Sequence, residues 1–114
     1  MELATENRRR HPRYPCDSVA EVLVFGNRAL FRGRVRDLSE SGCFIETRAR
    51  LRPEVMRLVE LRFHVKGLEM NAYAVARSIH PGQGAGFEFV TRDPRVDGSI
   101  REMIKRLNGD NLAA

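Results

Sequence analysis

The sequence predicts an all-β domain with a terminal helix, arranged as a six-stranded antiparallel β-barrel followed by a C-terminal α-helix. Several short segments alternate apolar and polar residues with a period of two, and turn signals separate them at close intervals. The last segment changes to a helical period. Short strands joined by hairpin turns are typical of small closed barrels, which a single amphipathic helix can plug or flank. With 114 residues, 42% of them hydrophobic, the chain suits one domain with one compact core.

The first half of the chain predicts three strands. The string VAEVLVF at 19–25 suits a pleated, half-buried surface, and Gly26-Asn27 follows it as a turn signal. Between 31 and 37 the alternation is strict, with arginines on one face and Phe, Gly and Val on the other. Residues 37–42 favour a tight turn, and the alternation resumes over 43–47. The interpretation is strand, sharp bend and strand.

The second half predicts three more strands and the helix. Residues 59–65 alternate, Lys66-Gly67 is a hairpin signal, and a returning strand covers 68–79. A turn at 81–84 leads to a last short strand at 86–90. Apolar residues then fall on one helical stripe, and the helix starts either at Asp93-Pro94 or at a capping box of Ser99 and Glu102.

These patterns divide the chain into three parts. Residues 1–13 lack apolar periodicity and are expected to form a flexible, Arg-rich arm. Residues 14–109 are expected to hold the barrel and the helix, which Gly109 would stop. Residues 110–114 are then expected to be a frayed tail.

Composition excludes several classes of function. No signal peptide or transmembrane segment is visible, so a cytoplasmic location without membrane insertion is expected. Cys16 and Cys43 have no metal-ligand spacing and are expected to be small buried hydrophobes, and no metal or resident cofactor is expected. No nucleophile elbow, phosphate loop or carboxylate pair is recognisable, so the chain is not expected to be an enzyme.

Arginine dominates the charge of the chain. Twenty basic residues against fifteen acidic ones give a net charge of +5, and only two of the twenty are lysines. Guanidinium groups bind phosphate and carboxylate oxygens through paired hydrogen bonds and stack on flat rings. Codon usage that favours Arg over Lys would explain most of the scattered positions equally well.

The first motif is an arginine run just before the fold. Arg9 and Arg13 form Arg-x-x-x-Arg, with Arg8 and Arg10 beside them. Such a run concentrates positive charge where an arm could close over an anion. The alternative is a solvated basic arm with nonspecific affinity for nucleic acid.

The second motif is Asp37-x-Ser39-x-x-Gly42 at the bend between two predicted strands. An ionised Asp37 only accepts hydrogen bonds, which suits the N1–H and N2–H edge of a guanine, and Ser39 can donate or accept beside it. Gly42 would permit close approach of a ligand. The alternative is an ordinary turn, in which Asp37 and Ser39 cap backbone amides and Gly42 supplies a positive φ.

The two motifs, in this order and followed by the final Gly84–Val90 segment and the helix, resemble the PilZ domain family over nearly the whole chain. The resemblance implies a six-stranded antiparallel barrel that binds the bacterial second messenger cyclic di-GMP. It implies a receptor that changes conformation on binding and regulates a separate, unidentified protein of the motility, pilus or exopolysaccharide machinery.

The resemblance also implies roles for individual residues. Arg9 and Arg13 would hold phosphates or the O6 and N7 atoms of guanine. Asp37 and Ser39 would take the other guanine edge, and Gly42 would leave room for the ring. Arg8 and Arg10 would neutralise a phosphate or stack on a base, and Arg77 is a weaker stacking candidate whose alternative is a solvated strand residue. In this family an arginine at the position of Arg8 accompanies two stacked ligand molecules.

One alternative of a different class stays open at this stage. A small basic barrel can bind single-stranded nucleic acid by charge and stacking. The sequence contains no Trp and two Tyr, and it shows no obvious stripe of exposed aromatics, so nucleic acid is the less expected partner.

Overall fold

A computed structural model describes residues 11–53, 56–90 and 93–113 of the chain, with side chains up to residue 109. Six antiparallel strands close into a barrel in the order β1-β2-β3-β6-β5-β4, and a helix follows them. The elements are β1 Tyr14–Val24, β2 Leu30–Leu38, β3 Gly42–Glu46, β4 Leu58–Val65, β5 Leu68–His80, β6 Gly84–Phe89 and α1 Pro94–Ala113. The predicted fold class is confirmed. Within the described ranges, no helix is long and apolar enough to span a bilayer.

The core lies inside the barrel because each strand turns one alternating set of side chains inward. On β4 the buried residues are Val59, Leu61, Phe63 and Val65, whereas the charged residues between them stay at the surface. The other five strands contribute further buried apolar side chains to the same interior cluster. Burying each large aliphatic or aromatic side chain contributes about 1.5–3 kcal/mol, which makes this interior the main source of stability.

The first strand is longer than its composition predicts. It begins at Tyr14 and not near residue 19, although Pro15 and Asp17 are poor strand formers. Tyr14 pairs with Leu38 and Pro15 with Asp37, so contacts with β2 override local propensity. A shift in the pairing register between Pro15 and Ser18 accommodates the proline, which cannot donate to a regular ladder.

The predicted hairpin at Lys66-Gly67 is confirmed. Both residues have a positive φ, 52° and 82°, as a tight two-residue turn between twisted strands requires. The turn signal at Gly26-Asn27 is also confirmed: Val24 donates its N–H to the carbonyl of Ala29 across 2.8 Å. The Asn27 side chain accepts the N–H of Ala29 at 3.0 Å.

The helix packs against the end of the barrel at which β1 begins. Its residues Ile100, Met103 and Leu107 are buried in the core. Arg106 donates from Nη1 to the carbonyl of Lys66, 2.8 Å away in the β4–β5 turn. A cavity of about 160 Å³ between the helix, the β2–β3 turn and the entry to β1 is lined in part by His11.

The helix begins at one of its two predicted starts and ends later than predicted. Asp93 caps it by accepting the N–H of Arg95 at 2.9 Å, so the Ser99 alternative is wrong. The predicted stop at Gly109 is wrong because α1 continues to Ala113, whereas the frayed tail expected over 110–114 stays a prediction. Gly109 does not adopt the positive φ of a helix-ending glycine, and a glycine inside a helix is tolerated for about 1 kcal/mol.

Candidate ligand-binding site

The pairing of β1 with β2 brings the end of the arginine run to the second motif. Arg13 is exposed and directly precedes Tyr14, whose cross-strand partner is Leu38. Leu38 is followed at once by Ser39, so Arg13 and the motif turn lie at the same end of the barrel. Arg8, Arg9 and Arg10 lie outside the described residues.

A β-bulge places Asp37 on the outer surface. Strict alternation from Val35, which is buried, would turn Asp37 inward. The register shifts between Val35, which pairs with Ile45, and Asp37, which pairs with Phe44. The extra residue reverses the faces, so Leu38 enters the core and Asp37 faces outward with Phe44. The sequence alternation did not reveal this bulge.

The Asp37 carboxylate is available for a ligand. The side chain is half-buried, and within the described residues it makes no hydrogen bond or ion pair. Its negative charge acts on both cysteines: burial, and after it the Asp37 charge, raise the pKa of Cys16 to about 11. Burial likewise raises the pKa of Cys43 far above its ordinary value, with Asp37 as the second cause. The structure does not place Asp37 as a cap on its own turn.

Ser39, in contrast, is committed to the turn. Its side chain is buried, and its Oγ accepts the N–H groups of Ser41 and Gly42 at 3.2 and 3.1 Å. The hydroxyl also lies 3.2 Å from the Gly42 carbonyl, and the Ser39 N–H donates to that carbonyl at 2.8 Å. For this residue the capping interpretation is confirmed. Ser39 shapes the loop between β2 and β3.

Gly42 is required by packing between strands. A Cβ at this position would collide with the carbonyl oxygen of Phe87 on β6, the strand that pairs with β3. The φ of Gly42 is not positive, so the turn alternative is wrong on this point. The β6 backbone fills the space into which a Gly42 side chain would point, and the expectation that Gly42 leaves room for a ligand ring stays a prediction.

Arg77 lies one strand beyond β6 and is already partnered. Its Nε–H donates to Glu88 Oε1 at 2.6 Å, and Nη2 lies 2.5 Å from the same oxygen. Glu88 is the cross-strand neighbour of Gly42, which links Arg77 to the motif turn through β6. The Arg77 side chain is 67% exposed, so it can reach solvent and anions on this side of the barrel.

A family model for the PilZ domain matches residues 7–107, which include both motifs and the first two thirds of the helix. The chain belongs to the PilZ domain family. A search of curated protein sequences found no match.

Solved PilZ structures share this fold. The PilZ domain of YcgR from Escherichia coli with c-di-GMP is 17% identical, with a TM-score of 0.75 over 91% of this chain and 94% of that one. The PilZ domain of CeSA from a cellulose-synthesizing bacterium is also 17% identical, with a TM-score of 0.67 over 85% and 98%. MotI of Bacillus subtilis, described as an inhibitor of motility, is 13% identical, with a TM-score of 0.71 over 90% of this chain and 52% of MotI.

The PilZ barrel presents a shallow outer wall beside Asp37, which we call the motif wall. Register places Asp37, Phe44, Gly86 and Ser78 side by side across β2, β3, β6 and β5. Because Gly86 has no side chain, the surface is shallow in the middle of this row. The Phe44 ring contacts the His80 ring, with centroids 5.7 Å apart, at the side of the row away from the turn.

A groove of about 550 Å³ continues the motif wall beyond Phe44. Three guanidinium groups line it, from Arg32, Arg34 and Arg48. Arg34 is held by Asp17, with Nε and Oδ1 3.0 Å apart, whereas Arg48 has no ion pair in the described part of the chain. Cationic side chains therefore lie on two sides of the motif wall. Arg13 lies at the barrel end that holds the motif turn, and the three groove arginines lie on the opposite side.

Sequence reasoning missed the wall residues Phe44 and Ser78, and it also missed His80 and Glu88 next to the wall. Alternation did contain a signal for Phe44, because it lies between Cys43 and Ile45, which are both buried. No local signal pairs Glu88 with Arg77. Among the described residues, no group of three His, Cys, Asp or Glu side chains could hold a metal ion.

Proposed function

We propose that this chain is a cyclic di-GMP receptor that acts as an adaptor on a separate protein. The observation that carries the proposal is the meeting of two motifs at one barrel end: exposed Arg13 beside the turn that follows Asp37. Membership of the PilZ domain family and the YcgR domain structure with c-di-GMP support the choice of ligand.

The chemistry of the ligand matches the side chains available. Cyclic di-GMP carries two phosphates with one negative charge each, and its guanines present O6 and N7 as paired acceptors that a guanidinium fork fits. Arg9 and Arg13 supply such forks. The Asp37 carboxylate, which has no partner among the described residues, accepts from the N1–H and N2–H groups of a guanine. Adenine has no N–H at N1, so Asp37 favours guanine.

The remaining motif residues have different roles. Ser39 and Gly42 hold the shape of the loop that follows Asp37. Arg8 and Arg10 neutralise a phosphate or stack on a base, and two stacked ligand molecules would engage Arg8. Arg77 can join the ligand only by weakening its bond to Glu88.

The adaptor part of the proposal concerns the partner. No catalytic group is recognisable, so ligand binding acts by changing what the chain contacts. Relatives point to the pathways: MotI is described as an inhibitor of motility, CeSA belongs to a cellulose-synthesizing bacterium, and MrkH is described as a transcription regulatory factor dependent on c-di-GMP. Motility and exopolysaccharide machinery correspond to the first two of these relatives, and pilus machinery is the third partner class that the family resemblance implies.

Calorimetric titration tests the ligand. We expect cyclic di-GMP to bind, cyclic di-AMP to bind at least about tenfold more weakly, and GTP and a short oligonucleotide not to shift the melting temperature. An Asp37→Ala variant should lose about tenfold or more in affinity for cyclic di-GMP, because a charge-assisted bond contributes roughly 1.5–3 kcal/mol. Glu69→Ala, an exposed carboxylate at the start of β5, is the matched control and should bind normally. A wild-type chain that does not bind cyclic di-GMP would refute the proposal.

A further inference from the structure

The barrel has a second surface feature that the ligand site does not use. Seven apolar side chains on the outside of the barrel, at least partly exposed, form what we call the outer apolar patch: Leu23, Phe25, Leu30, Leu58, Tyr73, Val75 and Val90. Leu30 is 62% exposed and Tyr73 is 48% exposed. Contiguous exposed apolar surface of this kind marks interaction sites on small proteins.

Strand pairing makes the patch continuous. Leu23 pairs with Leu30 across β1 and β2, and Leu58 pairs with Val75 across β4 and β5. The Phe25 and Tyr73 rings are in contact, with centroids 5.9 Å apart. Val90 donates its N–H to the Tyr73 carbonyl at 2.9 Å, which adds the residue after β6 to the same surface.

A single carboxylate lies in the middle of the patch. Glu60 on β4 pairs with Leu23 on one side and with Tyr73 on the other, and cross-strand neighbours share a face. Its side chain is half-buried and, within the described residues, has no hydrogen bond or ion pair. A carboxylate with apolar neighbours on both adjacent strands favours a partner that supplies a cation when it covers the patch, because an unpaired buried charge is strongly disfavoured.

Two other occupants fit the patch poorly. A stable dimer needs about 20–30 residues from each subunit, far more than this patch contains, and a two-fold axis through its centre would bring two Glu60 carboxylates together. A nucleic acid could stack on Phe25 and Tyr73 and meet the exposed Arg28 and Arg57 nearby. Its phosphates would, however, be repelled by Glu60.

We propose that the outer apolar patch is the docking surface for an apolar segment of a partner protein that carries one Lys or Arg opposite Glu60. The proposal rests on the adaptor function above, and it names the surface that the partner uses. The patch also connects to the ligand motif. Phe89 donates its N–H to the Ser41 carbonyl at 2.9 Å, and the next residue, Val90, bonds to Tyr73. The end of β6 therefore contacts both the motif turn and the patch.

Selection from a phage library of short random peptides tests the proposal without a known partner. The full chain is the bait, with and without cyclic di-GMP, and selected peptides are synthesised and titrated by fluorescence polarisation. We expect enriched peptides to contain apolar residues around one Lys or Arg. A Leu30→Ser/Tyr73→Ser variant should bind them about tenfold or more weakly, as expected for truncation of central interface side chains.

Two further variants separate charge from apolar contact. Glu60→Gln should reduce affinity about three- to tenfold and remove the preference for peptides with a basic residue over matched peptides with Gln in its place. Val19→Ser is the matched control, because Val19 is 55% exposed on the outside of β1 but lies outside the patch, and it should bind like the wild type.

The outcomes are distinguishable from failure of the ligand proposal. Each variant is also titrated with cyclic di-GMP, and none of these positions lies on the motif wall, so ligand affinity should stay unchanged. If the wild type fails to bind cyclic di-GMP, the receptor function is refuted. Peptide affinity can still be measured in that case, and it still tests the docking surface. Enriched peptides without a basic residue, binding that survives the double substitution, self-association through the patch, or patch-dependent oligonucleotide binding would each overturn the docking proposal.

Discussion

Arg77 donates its Nε–H to Glu88 Oε1 across 2.6 Å, which ties the arginine to the strand next to the motif turn. Glu88 pairs with Gly42 on one side and with Val75 on the other. The ion pair therefore lies between the proposed ligand site and the outer apolar patch. An arginine held by a carboxylate attracts an anion less strongly than a free one, so Glu88 opposes the proposed role of Arg77.

Removing the Glu88 charge should tighten ligand binding. We expect Glu88→Gln to raise the affinity for cyclic di-GMP about two- to fivefold and Arg77→Ala to lower it by a similar factor, since exposed ion pairs contribute up to about 1 kcal/mol. Calorimetric titration of both variants measures this. Glu69→Gln, which removes an exposed carboxylate at the start of β5, should leave binding unchanged. If Arg77→Ala binds normally, Arg77 is not a ligand residue.

Asp37 and Ser39 should respond differently to alanine substitution. Asp37→Ala should weaken cyclic di-GMP binding about tenfold and leave the free energy of unfolding nearly unchanged, because Asp37 has no hydrogen bond to lose in the described structure. Ser39→Ala should destabilise the protein by about 1–3 kcal/mol, because one buried and one partly buried N–H group lose their acceptor. Urea unfolding and calorimetry on the same samples separate the effects. A large loss of stability in Asp37→Ala would contradict the assignment of Asp37 to ligand binding.

The arginine of the described arm should matter for binding and not for folding. Arg13 is exposed, and no ion pair or hydrogen bond of it is found among the described residues. We expect Arg13→Ala to lower cyclic di-GMP affinity about tenfold, with an unchanged melting temperature. Arg28→Ala, which removes another exposed arginine from the β1–β2 turn, is the control. Normal binding by Arg13→Ala, or failure of that variant to fold, would contradict the proposal.

The parts of the fold that depend on local pattern could be predicted from the sequence. The alternation over 59–65 and the Lys66-Gly67 turn are dictated by nearest neighbours, and both are confirmed. The start of β1 at Tyr14 and the bulge beside Arg36 could not be predicted, because they arise from pairing with another strand. The sequence predicts a helix end at Gly109 because glycine often ends helices. A glycine inside a helix is only about 1 kcal/mol less favourable than alanine, so α1 continues past it.

The candidate site was predictable in its residues but not in its geometry. The two motifs identified Arg13, Asp37 and Ser39, whereas only the register shows that Asp37 faces outward and that Ser39 is buried. Glu88 could not have been found, because its position beside Arg77 depends on a shift in the pairing register of β5 and β6 between Ala76 and Ser78. The reason for Gly42 likewise comes from β6, which lies far along the chain.

Gly42→Ala should be strongly destabilising. The added Cβ meets a backbone carbonyl of β6 that cannot move without breaking the ladder, so we expect a loss of about 2–3 kcal/mol or more in the free energy of unfolding. Gly98→Ala is the matched control, because Gly98 lies in α1 with open space around it and should stabilise the protein by about 0.5–1 kcal/mol. Equal unfolding midpoints for the two variants would show that β3 and β6 are not packed as described.

The two cysteines should make the protein less stable in alkaline solution. Burial raises the pKa of both thiols, to about 11 for Cys16 and further for the fully buried Cys43. An unfolded thiol titrates near 8.5, so above that pH the unfolded chain releases protons that the folded chain retains. Stability is therefore complete below about pH 8 and falls as pH rises through the interval between the unfolded and folded pKa values. For Cys43 this amounts to about 2 kcal/mol between about pH 8 and pH 10.

Urea unfolding of the wild type and of Cys43→Ala, under reducing conditions across this range, measures the difference. The titration of lysine and tyrosine side chains contributes equally to both proteins and cancels in the comparison. The variant should be less stable near pH 7 because of the small cavity and should lose less stability as pH rises. Parallel pH profiles for the two proteins would show that the Cys43 thiol is not buried in the barrel.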